Sequence, residues 1–201
     1  MSGTFNFEYL FEKTKNQKIS SEEQNFFSRL FGLFYEKIVP IWCNINKEYE
    51  YIEGRPSLYN LKNQYLHRTY DFVFKKNEKL FLVEQKNWIA YENFKFLEIN
   101  KNNLKKIKHH LDKDEELNKF CSDPKNYIVK VNQEKKEIQG VIFIWPRVSI
   151  NDLEYCKKEL KVYDILSFEE MIKEIKHEKA FIGLIEKYQN WCNDFFDRLK
   201  K

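Results

Sequence analysis

The sequence predicts an α/β fold in which a mixed β-sheet carries helices on its faces, and three observations lead there. Apolar residues recur at helical spacing near both ends of the chain. Two β-prone runs in the middle flank a short polar connection, the pattern of a hairpin. A basic amphipathic stretch then separates that hairpin from further β-prone runs, giving the order α-β-β-β-α-β-β-α-α.

The first helix is expected from Ser21 to Val39, where Phe26, Phe27, Leu30, Phe31, Leu33, Phe34 and Ile38 share one side. Ser20 and Glu23 form a capping-box pattern at its start, and Pro40 marks an end or kink. A short strand is expected near Tyr49 to Ile52, followed by a turn at Gly54-Arg55-Pro56. The hairpin follows: Tyr70-Asp71-Phe72-Val73-Phe74, a polar connection, then Leu80-Phe81-Leu82-Val83-Glu84-Gln85-Lys86. It lacks the Asn-Gly pair that most strongly marks a tight hairpin turn. A basic helix is expected from Ile99 to Phe120, with Leu104, Ile107 and Leu111 as its apolar stripe. Strands are expected at Tyr127 to Val131, Ile138 to Trp145 and Lys161 to Leu166. Ser167 with Glu170 caps another helix, and a last helix runs from Ala180 to Leu199. Trp145 and Trp191 both sit in apolar patterns and are expected in the core.

Composition narrows the functional classes. With 18 Phe, 12 Tyr and 4 Trp in 201 residues, the chain is too aromatic to remain a solvated coil. No apolar run is long enough to span a bilayer, and the N-terminus lacks a secretory pattern, so no membrane partner and a cytoplasmic location are expected. Cys43, Cys121, Cys156 and Cys192 are scattered, without zinc spacing or a disulfide framework. The net charge of +4 is mild, and 30 of the 35 basic residues are Lys, so charge alone argues little for nucleic acid. No phosphate-binding glycine loop, dinucleotide fingerprint or nucleophile elbow is present.

The chemistry concentrates in the hairpin. A strand opening Leu-Phe-Leu-Val reads as buried on both faces, yet it ends in Glu84 and Lys86, two charges on one face. If Lys76 to Lys79 form the connection, Lys75 pairs with Leu80, Val73 with Leu82, and Asp71 with Glu84. Opposed side chains lie about 5 Å apart. Two such carboxylates repel, and a hard divalent cation would relieve the repulsion. The plainer alternative is a solvated strand end in which Glu84 pairs with Lys86.

Asp71, twelve residues, then Glu84-Gln85-Lys86 resembles the motif of the PD-(D/E)XK nucleases, which include restriction endonucleases and Holliday-junction resolvases. Tyr70 stands where many members have Pro, and the basic helix carries no Gln-x-x-x-Tyr motif. The resemblance implies a restriction-endonuclease-like fold with an α-β-β-β-α-β core. That core would span about residues 21–145 of a single nuclease-like domain, 1–201, with a further strand and helices over 146–201. It implies that Asp71 and Glu84 ligate Mg²⁺, with Mn²⁺ as a substitute. It also implies that the Gln85 backbone carbonyl joins them and that Lys86 assists the attacking water. The family often adds a carboxylate from the first helix: Glu36 is the choice, with Glu23 the alternative. A helix charge beside Lys37 is the plain reading of Glu36.

The expected activity is metal-dependent endonucleolytic hydrolysis of DNA, of restriction or DNA-processing type, with a homodimer as one assembly open to it. A catalytically inactive module binding nucleic acid or protein, or an RNA endonuclease, is the alternative. Arg68 and the basic-helix residues Lys105 and Lys106 are candidate nucleic-acid contacts; His67, Lys101, Lys108, His109 and His110 lie in the same stretches. The plain readings are a strand edge for His67 and Arg68 and a solvated lysine face for the basic helix. Trp88 and Tyr91 suit base stacking or a core rim, and segments 54–68 and 146–153 are candidate recognition loops.

Overall fold

The computed structural model describes residues 20–62, 66–86, 98–111 and 114–200. Trp88 and Tyr91 lie outside the described residues, as do the side chains of Glu23, His67 and His110.

Helix α1 (Ser21–Asn46) continues past Pro40 for nearly two turns beyond its expected end. Ile38, Val39, Trp42 and Cys43 are all buried, so packing on both sides of Pro40 outweighs the one backbone bond to the Glu36 carbonyl that proline cannot donate. Strand β1 (Glu50–Ile52) follows, then β2 (Ser57–Asn60) and β3 (Leu66–Thr69). The hairpin is β4 (Phe72–Lys76) and β5 (Lys79–Gln85). After β6 (Glu98–Ile99), the expected long basic helix is two short ones, α2 (Leu104–Leu111) and α3 (Glu115–Ser122). The side chain of Asp114 accepts the Leu117 N–H at 3.1 Å and starts α3 afresh.

The second half of the chain supplies β7 (Tyr127–Val131), β8 (Glu134–Lys136), β9 (Val141–Trp145), β10 (Arg147–Val148) and α4 (Leu153–Leu160). It closes with β11 (Asp164–Ser167), α5 (Phe168–Ile175) and α6 (Lys179–Leu199). Ser167 caps α5 by accepting the Glu170 N–H at 3.4 Å, as its sequence predicts.

The main sheet has five strands in the order β1-β4-β5-β9-β11. β1, β4 and β5 are antiparallel neighbours; β5, β9 and β11 run parallel. Alternation divides its side chains between two cores. Phe72, Phe74, Phe81, Val83, Ile142 and Ile144 pack with α1, α5 and the start of α6. Val73, Leu82, Val141, Phe143 and Trp145 pack on the other side with α2, α3 and a second sheet. That second sheet, β3-β2-β7-β8, is antiparallel, and the expectation of a single sheet misses it. It occupies part of the 54–68 segment expected as a loop, as β10 occupies part of 146–153.

Trp145 is fully buried as expected, whereas Trp191 is 57% exposed. The apolar side of α6 outruns the body it packs on: Phe181 is buried at one end, while Phe195 and Leu199 face outward at the other. Among the described residues no helix is long and apolar enough to cross a membrane.

Candidate functional site

The hairpin β4–β5 positions the site. Its turn is two residues, Asn77 and Glu78, with φ of 49° and 61°. Both lie in the left-handed region that a tight turn joining twisted strands requires. The connection is therefore shorter than four residues, because Lys76 and Lys79 also pair, but the register is the expected one: Lys75 opposite Leu80 and Val73 opposite Leu82. The ladder ends at Phe72 opposite Val83, which leaves Asp71 one step beyond, across from Glu84.

Glu84 is 1% exposed. Its Oε1 accepts from Arg68 Nη2 at 2.7 Å and from Lys86 Nζ at 2.6 Å. Its Oε2 is buried and makes no hydrogen bond among the described residues. A buried carboxylate oxygen without a donor is costly, so this atom stands out from an ordinary buried ion pair. Asp71 Oδ2 accepts the Gln85 backbone N–H at 2.7 Å. Burial, followed by the Glu84 charge, pushes the Asp71 carboxyl up to about 6, with the Gln85 N–H and the Lys86 charge opposing. Two carboxylates beside a backbone carbonyl are hard oxygen donors, a set that suits Mg²⁺ when substrate and water oxygens complete the shell.

The other expected residues divide. Glu36 lies on α1 and accepts at both oxygens from Arg55 Nη2 at 3.2 Å. Its charge reaches Asp71, whose proton affinity it raises, though less than the other causes do. Among the described residues no three His, Cys, Asp or Glu side chains are grouped closely enough to hold a metal ion, so Glu36 is not drawn in with Asp71 and Glu84. The Gln85 side chain is buried, and neither of its amide atoms is hydrogen-bonded among the described residues. Arg68, expected at a phosphate, is committed to carboxylates: it bridges Glu84 and Asp114, with its guanidinium over the Tyr70 ring at 5.2 Å. Lys105 and Lys106 are exposed on α2, and His109 is exposed beside them.

Asp114 is the residue that sequence reasoning missed. Its signal was an acid directly before Glu115-Glu116-Leu117, an N-cap pattern hidden inside what reads as one long helix.

Comparison of the chain with protein-family models, with curated proteins and with solved structures finds no match in any of the three.

Proposed function

We propose that this chain is a Mg²⁺-dependent endonuclease that hydrolyses DNA phosphodiester bonds, built on a restriction-endonuclease-like core. One observation carries the reading. A fully buried glutamate at the end of a core strand keeps one oxygen without a partner among the described residues, opposite a second carboxylate and beside a lysine. The order α1, β1, β4, β5, α2, β9 supports the core assignment, with β2 and β3 inserted into the second sheet.

In this reading Asp71, Glu84 and the Gln85 carbonyl hold the ion. When bound, such an ion lowers the pKa of water and polarises a phosphoryl oxygen. Lys86, only 18% exposed and held at 2.6 Å from Glu84, sets a positive charge beside the reacting group with little freedom to wander. Lys105 and Lys106 offer screened attraction to the DNA backbone.

A second reading has its own observation. Arg68 and Lys86 already satisfy Glu84 Oε1, as they would in a binding module that performs no chemistry. The test is cleavage of supercoiled plasmid, linear duplex, branched DNA, single strands and RNA with Mg²⁺, Mn²⁺ or EDTA. Metal-dependent cutting of DNA that falls at least about a hundredfold in Glu84→Gln and in Lys86→Met supports the nuclease. A folded protein that binds DNA in EDTA and cuts nothing supports the module, and preferential cutting of RNA reassigns the substrate.

A further inference from the structure

We infer that Arg68 and Asp114 form a positioning pair that fixes the rotamer of Glu84 and leaves its Oε2, unpartnered among the described residues, as the oxygen that would meet a metal ion. The inference rests on the nuclease reading and adds two residues that its motif does not contain.

Four contacts hold the arrangement. Asp114 Oδ1 is fixed by the Leu117 N–H at the start of α3, and its Oδ2 takes Arg68 Nη1. Arg68 Nη2 then reaches Glu84 Oε1 at 2.7 Å, and the Tyr70 ring supports the guanidinium at 5.2 Å. The relay runs from a helix start, through a planar guanidinium, to a buried carboxylate. A fork with donors in fixed directions can tie two carboxylates at set angles; a lysine ammonium cannot. Lys86 binds the same Oε1, so both cations pull on one oxygen and neither covers Oε2. The carboxylate cannot turn to present Oε1 without breaking two charged hydrogen bonds. Outer groups that orient ligands in this way typically change metal affinity about 10- to 100-fold when altered.

The test is Mn²⁺ binding by isothermal titration calorimetry and by loss of the free-ion electron paramagnetic resonance signal, with no DNA present. Arg68→Lys keeps the charge but loses the fork. Asp114→Asn keeps the helix cap but releases the arginine. Both are compared with wild type and Glu84→Gln, each shown folded by circular dichroism. The expected result is Mn²⁺ binding by wild type, none by Glu84→Gln, and affinity about tenfold or more weaker in Arg68→Lys and in Asp114→Asn. Wild-type affinity in both of those variants, with Glu84→Gln still inactive in binding, overturns the positioning pair and leaves the metal site standing. Absence of Mn²⁺ binding by wild type, or undiminished binding by Glu84→Gln, overturns the metal reading and the pair with it.

Discussion

Replacing Asp71 with Asn tests whether the hairpin stores unfavourable charge. The carboxyl is pushed from its ordinary 3.8 to about 6, first by burial and then by Glu84. A proton is therefore held more tightly in the folded chain than in the unfolded one. Between those values the folded state binds a proton that the unfolded state has released, so stability falls as pH rises through that window. At 1.36 kcal/mol per tenfold in proton affinity, the loss approaches about 3 kcal/mol above pH 6. Asn imitates the protonated form and can still accept the Gln85 N–H. Urea unfolding in EDTA from pH 4 to 8 should give variant and wild type similar stabilities near pH 4. The variant should pull ahead across pH 4–6 and lead by up to about 3 kcal/mol above it. Glu84→Gln removes the second cause, so in its background the divergence should be smaller and should level off at lower pH. A difference curve that stays flat, or a wild type that gains on the variant as pH rises, refutes the reasoning.

Three further outcomes follow from other parts of the molecule. Gly54 has φ of 123°, and a Cβ there would lie 2.5 Å from Asn132 Oδ1, so Gly54→Ala should cost more than about 1 kcal/mol in urea unfolding. Lys105→Ala with Lys106→Ala should weaken DNA binding in EDTA and lower the slope of log affinity against log salt by about 2, measured by fluorescence anisotropy. Trp191 is 57% exposed and touches Lys187 and Tyr188 rather than the core, so Trp191→Ala should change monomer stability by no more than about 0.5 kcal/mol in thermal unfolding at low protein concentration.

What the sequence discloses about this fold depends on how local the causes are. The register placing Asp71 across from Glu84 is set by a hairpin of adjacent strands, so counting back from the turn recovers it although the turn length differs. The charges on Glu84 and Lys86 are conspicuous because they end an apolar strand. The second sheet is not legible in this way: β2 is four residues long, and its partner β7 lies far along the chain. Pro40 misleads because a single lost backbone bond counts for less than the burial of Trp42 and Cys43 beyond it. Trp191 misleads because helical periodicity reports a face and not the extent of what covers it. The Arg68–Asp114 pair is hidden in the sequence because only the tertiary fold brings the two residues together.

The charges at the open end of the hairpin do not balance. Among the described residues three carboxylates, Asp71, Glu84 and Asp114, meet two cations, Arg68 and Lys86, which leaves one negative charge uncompensated when all are ionised. An ion-pair network serving stability alone has no reason to leave that charge partly buried. A proton on Asp71 can supply the balance; a divalent cation bound as proposed would supply it too, and would compete with that proton for the same carboxylate. With the Asp71 carboxyl at about 6, roughly a quarter of the protein is free of that proton at pH 5.5 and nearly all of it at pH 7.5. The apparent affinity for Mn²⁺ should therefore be about fourfold weaker at pH 5.5. The same titrations on Asp71→Asn should show weak binding that hardly changes with pH. Equal wild-type affinity at the two pH values would mean that Asp71 takes no part in holding the cation, and the missing charge would need another explanation.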